Sequence, residues 1–386
     1  MKTKKISKVD LIFEHIDPRE ILIKVHGMSS EEIIEEILES GLKGRGGAGF
    51  PTGMKWKFCS EEKEKTKYIV CNADEGEPGT FKDREILDRV AYKVYAGMAI
   101  AGKAVGAKTG IIYLRGEYKF LLPQLRMELD SFHKLLKETG YDFEIDFRLG
   151  SGAYICGEES ALFESIEGKR GEPRNKPPYP TTAGLFGKPT TINNVETLVN
   201  SVIIMKYGSD RYKQMGTRYS TGAKVFSVSG DTPIPGIYEL ELGMSLFEFV
   251  KEFGDGDTKT VQVGGAAGFC VPRKLFANTV IGFEGVPTGG SMKLFNSSRS
   301  MYNVLHNYLE FFTEESCGQC TPCRVGCQQL LKGIESVKKG ESQSTYLNEL
   351  IKLADTMKIA SKCGLGQSVG NAFKSIVENF REEIIY

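Results

Sequence analysis

The spacing of apolar residues in the first half of the chain predicts an alternation of strands and helices. Short apolar or alternating runs predict strands, and longer runs with apolar residues three or four positions apart predict helices. In chain order, strands are predicted at 67–74, 110–116 and 142–150, and helices at 83–107, 119–140 and 191–208. Such an order is typical of a parallel sheet covered by helices. We therefore expect an α/β fold over residues 1–215.

The pattern changes twice after this region. Over residues 223–265 it predicts two strands, a helix and a third strand, which suits a small β-grasp (ubiquitin-like) module at 216–299. A glycine-rich loop is predicted at 282–292. From residue 300 onward, apolar residues recur at helical spacing in short segments with tight links. We expect a helical bundle at 300–386.

A glycine-rich loop precedes the first predicted strand, and Gly44, Gly46 and Gly49 stand there in G-x-G-x-x-G spacing. In a dinucleotide-binding fold, that signature follows a strand and opens a helix. Here the preceding segment has isoleucines and leucines at helical spacing, with Ser29 or Ser30 as its cap. The context is therefore wrong for the ordinary dinucleotide signature.

The same loop has the composition of an anion-binding loop. Pro51 and Gly53 are expected to delay any helix after it, which leaves a long irregular segment. Glycines let backbone N–H groups approach a ligand closely, and Arg45 and Lys55 would add positive charge. A flexible surface turn is the alternative. Aromatic residues between positions 50 and 58 favour the ligand loop.

Composition excludes some classes of function. The chain has 386 residues, with 50 Lys and Arg and 50 Asp and Glu, so its charge gives no indication of nucleic-acid binding. No apolar run approaches the roughly 18 residues that a membrane-spanning helix needs. The apolar stretch near the N-terminus is too short and broken for a signal peptide. We expect a cytoplasmic chain, without direct membrane insertion, that contacts a membrane only through partners.

Five of the nine cysteines crowd the last 70 residues, which argues for metal binding in a cytosolic chain. Cys317, Cys320 and Cys323 form C-x₂-C-x₂-C, and three thiolates at this spacing can hold one face of a [4Fe–4S] cluster. Zinc sites more often consist of two separate C-x₂-C pairs. An iron–sulfur cluster is therefore favoured over zinc.

Two cysteines compete for the fourth position. Cys327 extends the run to C-x₂-C-x₂-C-x₃-C, as in bacterial ferredoxins, but no proline follows it. Cys363 lies just before a predicted helix and is followed by glycine. We favour Cys363, with Cys327 as a buried helical thiol.

Polar side chains follow two of the predicted strands, where ligands bind in open α/β sheets. Those after the first strand and those after the third strand are Asn72, Asp74, Glu75, Glu77, Glu158 and Glu159. The alternatives are a solvated turn and acids at helix N-termini that stabilise the helix dipole. A proline-rich loop farther on adds cations, including Lys176, and the aromatic Tyr179. Asn193, Asn194 and Thr197 then stand at a helix start, which is a ready phosphate site.

Taken together, these segments resemble one family: the NADH-oxidising flavoprotein subunit of respiratory complex I. Its relatives occur in NAD-linked hydrogenases, formate dehydrogenases and electron-bifurcating complexes. The matching motifs appear in family order from about Gly41: GLKGRGGAGFPTGMKW, NADEGEPGTFKDR, GAYICGEESAL, KPTTINNVETL and ESCGQCTPCRVG. The resemblance implies a Rossmann-like FMN-binding domain, a β-grasp module of the SLBB type and a helical [4Fe–4S] domain.

The resemblance also implies roles for individual residues. FMN contacts are implied for Gly44, Arg45, Gly46, Lys55, Asn72, Asp74, Glu75, Tyr154, Gly157, Glu158, Asn193, Asn194 and Thr197. NADH contacts are implied for Phe50, Phe58, Glu77, Glu159, Lys176 and Tyr179. Cluster ligation is implied for Cys317, Cys320, Cys323 and Cys363. NADH would pass a hydride to FMN, which would pass single electrons to the cluster.

Partners are implied as well. Thioredoxin-like [2Fe–2S] and ferredoxin-like modules of many relatives are not found in the sequence, so a [2Fe–2S] thioredoxin-like subunit and further iron–sulfur subunits are expected to receive electrons. Cys327 is outside the usual motif, and Tyr179 stands where many relatives have Phe. Two alternatives remain: a relay or structural subunit that no longer binds flavin or NADH, and a zinc-binding assembly module.

Overall fold

The computed structural model describes residues 6–385. Up to residue 213 the helices are α1 Pro18–His26, α2 Ser30–Glu39, α3 Thr52–Glu61, α4 Lys82–Val105, α5 Leu122–Glu138, α6 Glu159–Ile166, α7 Pro180–Ala183, α8 Val195–Tyr207 and α9 Ser209–Lys213. The strands of this region are β1 Tyr68–Ala73, β2 Thr109–Leu114, β3 Glu144–Leu149 and β4 Thr190–Asn194.

These four strands form one parallel sheet in the order β3-β2-β1-β4. The three predicted strands are confirmed, but β4 lies where a helix was predicted from residue 191. The prediction was wrong there because the β-branched run Thr190–Ile192 pairs with β1, and the helix begins only at Val195. The Asn194 side chain caps that helix by accepting from the backbone N–H of Glu196.

A second correction concerns the segment after the glycine loop. Pro51 and Gly53 were expected to delay a helix, yet α3 begins at Thr52 with Pro51 as its N-cap residue. Gly53 lies inside this helix, at the point where α2 packs closely against α3, and a side chain would not fit there. A Cβ atom on Gly53 would lie 2.7 Å from the backbone nitrogen of Leu38.

Small residues let two central helices approach each other closely. The buried helices α4 and α8 pack together against the parallel sheet. At Gly97 of α4, a Cβ atom would lie only 2.3 Å from the carbonyl oxygen of Leu198 in α8. This explains the many small residues in the predicted helix at 83–107.

A second sheet follows, and it is mixed. It contains β5 Ala223–Gly230, β6 Gly236–Glu241, β7 Thr258–Val263, β8 Phe269–Pro272 and β9 Ser291–Asn296, with α10 Leu246–Phe253 between β6 and β7. The strand order is β6-β5-β9-β7-β8, and the β5–β9 pair is parallel. The predicted strands and helix are confirmed. The pattern missed β8, which has four residues, and β9, which follows directly from the predicted glycine-rich loop.

The C-terminal region is helical, as predicted. It contains α11 Met301–Glu315, α12 Thr321–Lys338, α13 Tyr346–Ala360, α14 Gly364–Asn379 and α15 Arg381–Ile385. Its apolar residues form one cluster with residues from the sheet edge, among them Ile155, Phe163 and Leu185. Within residues 6–385, no helix is both long and apolar enough to cross a membrane.

Candidate functional site

A large cavity of about 880 Å³ lies at the carboxyl ends of β1 and β4, where open α/β sheets bind ligands. It is lined by Gly44, Gly46, Ala48, Gly49, Phe50, Lys55, Phe58, Glu61, Glu62, Asn72, Gly157, Glu158, Glu159, Lys176, Tyr179, Pro180, Thr181, Thr182, Ile192, Asn193, Asn194 and Thr197. Its volume is near the upper end of the roughly 300–1,000 Å³ typical of ligand sites. The fold thus brings predicted site residues from four stretches of the chain into one cavity.

The glycine loop, residues 41–50, forms one wall of the large cavity. The Gly44 N–H donates to the carbonyl oxygen of Phe50 at 2.9 Å, which closes the loop on itself. A Cβ atom on Gly46 would lie 3.3 Å from Cβ of Asn194, so the loop and the start of α8 are nearly in contact. A larger residue at position 46 would narrow the cavity at this point.

Lys55 and Trp56 of α3 connect this helix to β4 at the edge of the cavity. Lys55 Nζ donates to the carbonyl oxygen of Ile192 at 2.9 Å and lies 3.9 Å from the Glu159 carboxylate. Burial lowers the pKa of Lys55, and Glu159 partly offsets that effect. Trp56, which the predicted site did not include, donates from its indole N–H to Asn193 Oδ1 at 2.9 Å. The buried tryptophan therefore orients an asparagine that lines the cavity.

Arg45 does not line the large cavity, although its neighbours Gly44 and Gly46 do. Its guanidinium lies inside the protein, where it donates to the Tyr212 hydroxyl at 2.9 Å and to the Thr221 carbonyl at 2.7 Å. The sequence prediction expected this cation to face an anionic ligand. The side chain instead anchors the loop from behind, and its Nε atom has no hydrogen-bond partner among the described residues.

The mouth of the large cavity combines exposed aromatic rings with paired charges. Phe50, Phe58 and Tyr179 are 46%, 41% and 60% exposed, which is high for large apolar side chains. Lys176 Nζ lies 2.6 Å from Glu159 and 3.0 Å from Glu158. This arrangement offers flat stacking surfaces beside groups that can accept and donate hydrogen bonds.

Glu158 has a second, structural role. Its carboxylate accepts from the backbone N–H groups of Ser160 and Ala161 and so caps α6. Burial raises the pKa of Glu158, but Lys176 and the Ser160 hydroxyl outweigh burial and hold that pKa below its usual value. The interpretation of this acid as a helix cap is therefore correct, and its side chain lines the cavity as well.

Four other predicted site residues lie behind the cavity wall. Asp74 has a buried oxygen without a partner among the described residues, and burial raises its pKa to about 7. Glu75 is 6% exposed, and accepts from two backbone N–H groups at the start of α4 and from the Tyr118 hydroxyl. Burial raises the pKa of Glu75 to about 7. The other two of the four, Glu77 and Tyr154, pair with each other at 2.7 Å.

Glu77 and Tyr154 connect the two sheets and the helical region. Glu77 also accepts from the backbone N–H of Ala267, in the β7–β8 turn, and burial raises its pKa to about 6. The backbone N–H of Tyr154 donates to Glu315 at the end of α11, and its ring makes an edge-to-face contact with Phe311.

A small cysteine cavity is lined by Cys317, Cys320, Cys323 and Cys363, together with Ile155, Pro173, Ser316, Gln319, Lys362 and Leu365. Cys320 and Cys363 are the N-cap residues of α12 and α14, so two helix N-termini meet here. Positive helix ends stabilise thiolates. Within residues 6–385, no group of three or more His, Cys, Asp or Glu is arranged to hold a single metal ion.

The residues present fit an iron–sulfur cluster. Burial raises the pKa of Cys363, and the backbone N–H groups of Leu365 and Gly366 act in the opposite direction, as N–H groups near the sulfurs of such sites do. At Gly366 a Cβ atom would lie 2.9 Å from Cβ of Cys323, so only glycine lets α14 start so close to α12. Four cysteines therefore line one cavity at two helix ends.

Cys327 lies outside the cysteine cavity. It is fully buried one turn beyond Cys323 in α12, with 4.0 Å between the two sulfurs. Cys363 lines the cysteine cavity and Cys327 does not, and the choice of Cys363 as the fourth ligand stays a prediction.

The residues present also fit FMN. The glycine loop leaves backbone close to the cavity, and the N-terminus of α8 opens onto it through Asn194 and Thr197. Lining residues that the sequence reasoning missed include Glu61, Glu62, Thr181 and Thr182. Glu61 and Glu62 directly follow the predicted aromatic segment, and the threonines follow Tyr179, so proximity in sequence was the available signal.

Two family profiles match the chain. Residues 37–202 match the Nuo51 FMN-binding domain, and residues 303–386 match the NADH-ubiquinone oxidoreductase-F iron–sulfur binding region. The first range contains all nineteen residues predicted for FMN and NADH, and the second contains the four predicted cluster ligands.

Known proteins agree with these profiles. The chain is 42% identical to the alpha subunit of the NAD-reducing hydrogenase HoxS of Cupriavidus necator, over 95% of this chain and 62% of that one. It is 39% identical to an NADH-quinone oxidoreductase F subunit of Rhizobium meliloti, over 92% and 88%. The crystal structure of an H₂-reduced NAD⁺-reducing [NiFe]-hydrogenase superimposes with a TM-score of 0.91 at 40% identity, over 96% of this chain and 65% of that one. The chain thus spans less than two thirds of the hydrogenase chains but most of the quinone oxidoreductase chain, and it belongs to the family of F subunits of NADH-quinone oxidoreductases.

Proposed function

We propose that the chain is the electron-input subunit of a larger oxidoreductase complex, in which it oxidises NADH with FMN and passes electrons to a [4Fe–4S] cluster. The observation that carries the proposal is a single short segment, the 3₁₀ helix Tyr154–Gly157. Ile155 lines the cysteine cavity and Gly157 lines the large cavity. One turn of backbone therefore separates the two sites.

Bound FMN would supply hydride acceptance from NADH and release of single electrons. The contribution of the protein is to bind and to position. Lys55, the glycine loop and the N-terminus of α8 would hold the anionic end of the flavin. Asn72 lines the cavity and would accept or donate hydrogen bonds deeper in the site. Asp74 would support it from behind the wall, where the Asp74 backbone N–H donates to the Asn72 side chain at 3.1 Å. No side-chain nucleophile is needed.

The mouth of the large cavity would bind the nucleotide. Phe50, Phe58 and Tyr179 would stack against its rings. Stacking would cover apolar surface of these side chains that is otherwise exposed to water. Glu159 would accept hydrogen bonds from the adenosine ribose and would repel the additional phosphate of NADPH. Lys176 would keep Glu159 in place.

Four cysteines, Cys317, Cys320, Cys323 and Cys363, would hold the cluster. Among the described residues, no other thiol lines the cysteine cavity, which supports this ligand set over one that includes Cys327. A relay subunit without flavin is not favoured, because most of the residues predicted to contact FMN line the large cavity.

The division of the chain is also a proposal. Residues 1–215 would form the FMN and NADH domain, 216–299 a β-grasp domain, and 300–386 the cluster domain. The strand order β6-β5-β9-β7-β8, with its central parallel pair and a helix between the second and third strands, supports the β-grasp assignment.

The partner would be an iron–sulfur protein with an acidic face, in the cytoplasm. Cationic side chains surround the cysteine cavity: Arg170 donates to the Cys317 carbonyl, Lys362 donates to the Gln319 side chain, and Arg324 donates to the Gly318 carbonyl. Ile359, which is 86% exposed, lies four residues before Cys363. A cationic rim beside an exposed apolar residue would suit a docking protein of opposite charge.

An anaerobic absorbance titration with NADH tests the proposed function. We expect a flavin band over a broad iron–sulfur shoulder, both of which bleach when NADH is added. A protein that shows the shoulder alone and does not respond after FMN is added would support the relay alternative. A colourless protein that contains zinc would exclude the cluster.

A further inference from the structure

The segment before β5, residues 219–221, contacts the glycine loop on the side away from the large cavity. Backbone carbonyl groups take part in these contacts as well as side chains. The Thr221 hydroxyl donates to the Gly41 carbonyl at 2.9 Å, and the Thr221 carbonyl accepts from the Arg45 guanidinium at 2.7 Å. Lys43 Nζ donates to the Tyr219 carbonyl at 2.8 Å. The segment that leads into β5 therefore contacts the loop at three positions.

A second segment of the same region also contacts the loop. At Gly49, which has a φ of 68°, a Cβ atom would lie 2.1 Å from the ring of Phe283. At Gly289 a Cβ atom would lie 3.5 Å from the carbonyl oxygen of Gly46. The 219–224 and 283–289 segments thus both contact the loop, and they are joined to each other where the Phe283 N–H donates to the Ser220 hydroxyl at 2.8 Å. The glycines of the loop leave the space that these contacts require.

Lys224 makes the most deeply buried of these contacts. It is the second residue of β5 and is 2% exposed, and its Nζ atom donates to the Arg45 carbonyl at 2.8 Å and to Glu196 at 3.0 Å. Glu196 is the second residue of α8 and also pairs with Lys82 at 3.0 Å. Lys224 therefore ties β5 at once to the glycine loop and to the helix start, which are two walls of the large cavity.

A buried charge of this kind is costly and is retained only with close partners. Burial lowers the pKa of Lys224 to about 7, Glu196 acts in the opposite direction, and Lys82 and Arg45 add to the lowering. An apolar residue would fill the same space without that cost. Unlike an apolar side chain, the ammonium group of Lys224 can donate a hydrogen bond to the carbonyl of Arg45.

We propose that Lys224 is a positioning residue for the flavin: by bridging the Arg45 carbonyl and Glu196, it sets the separation of the glycine loop from the start of α8. The β5 region and Phe283 together hold the loop in place. This inference rests on the proposed function, and it gives the second sheet a part in flavin retention.

Lys259 provides a control with a similar set of partners, and its side chain is 20% exposed where that of Lys224 is 3% exposed. It lies in β7 of the same sheet, and its Nζ atom likewise donates to one backbone carbonyl, that of Arg299 at 2.6 Å, and to one carboxylate, that of Glu383 at 3.0 Å. These partners lie just before and within the C-terminal helical region, and neither belongs to the glycine loop. Loss of a similar set of contacts can therefore be compared with and without a contact to the loop.

The experiment uses the full chain, loaded with FMN, as the parent and as Lys224→Met, Lys259→Met and Phe283→Ala. The rate of FMN release is followed by the rise in free-flavin fluorescence, with iron content and thermal unfolding as checks on folding. We expect Lys224→Met and Phe283→Ala to release FMN about tenfold faster than the parent, since residence time responds most to lost contacts. Lys259→Met should match the parent. Excess FMN should restore NADH oxidation in both loop variants.

Release rates of both loop variants equal to that of Lys259→Met would overturn the inference. If Lys224→Met does not fold, Phe283→Ala decides the question in the same way. A parent chain that never retains FMN would instead contradict the proposed function, so the two failures are distinct.

Discussion

The large cavity and the cysteine cavity are built in different ways. The large cavity gathers side chains from residues 44 to 197, and each wall depends on contacts between distant parts of the chain. The cysteine cavity depends mainly on two helix starts, at Cys320 and Cys363, with three of its four cysteines within seven residues. Substitutions should therefore act locally at the cysteines and at a distance around the flavin.

The two cavities also differ in the charged groups around them. Behind the large cavity lie carboxyl groups whose pKa values burial raises, such as Asp74 and Glu77. Around the cysteine cavity lie exposed or half-buried cations, such as Arg170 and Lys362. The flavin side would favour a neutral, well-packed interior, whereas the cluster side would favour an acidic partner.

The largest expected effect is loss of the cluster. Cys363→Ser should reduce bound iron and acid-labile sulfide to background, because a serine replaces one of four thiolates at the cysteine cavity. Cys327→Ser, a buried control one turn away from Cys323, should keep the cluster. If only the second variant lost iron, the ligand set would have to include Cys327.

Next in size is a block at the glycine loop. Gly46→Ala places a methyl group 3.3 Å from Asn194, and we expect FMN affinity to fall about tenfold, equivalent to roughly 1.4 kcal/mol. Isothermal titration of the flavin-free protein measures this. Gly27→Ala, at the end of α1, is the control, since its added Cβ would have an ordinary contact. Equal affinities for the two variants would contradict the assignment of the loop.

Nucleotide preference should change by a similar or smaller amount. Glu159→Gln removes the negative charge that would repel the additional phosphate of NADPH. The ratio of kcat/KM for NADH to that for NADPH should fall about tenfold, because one charge at the phosphate is removed. An unchanged ratio would show that another group discriminates between the nucleotides.

Glu77 provides a test by pH. Its pKa is raised from 4.5 to about 6 by burial, so the folded state binds more protons than the unfolded state between those values. Stability should therefore fall as pH rises through this window, by up to about 2 kcal/mol. Glu77→Gln should remove that fall, as measured by urea denaturation from pH 4.5 to 7.5. Parallel curves for parent and variant would argue against a buried, titrating Glu77.

The smallest effect is expected at the cationic rim. Lys362→Glu should slow electron delivery to an acidic iron–sulfur acceptor by roughly two- to fivefold at low salt, and added salt should remove most of the difference. Reduction of a small artificial acceptor at the flavin should be unchanged. Lys352→Glu, on the exposed face of α13, is the control. Equal slowing by both variants would argue against a rim-specific docking site.

The sequence predicted the parts of both sites that lie in contiguous motifs. The cysteines, the glycine loop and Asn193–Asn194 are in short runs whose spacing and composition point to ligands. It could not predict the direction of Arg45, because that depends on Tyr212 and Thr221, more than 150 residues away. It also misjudged β4, since an extended strand and a helix follow each other there without a break.

The separation of the two cavities by one short segment is the central claim, and rapid freezing with electron paramagnetic resonance tests it most directly. The full chain, with and without FMN, is mixed with NADH under anaerobic conditions and frozen at increasing times. We predict that a reduced [4Fe–4S] signal appears within the turnover time only when FMN is bound. A cluster that NADH reduces equally well without FMN, or never reduces with it, would contradict the account.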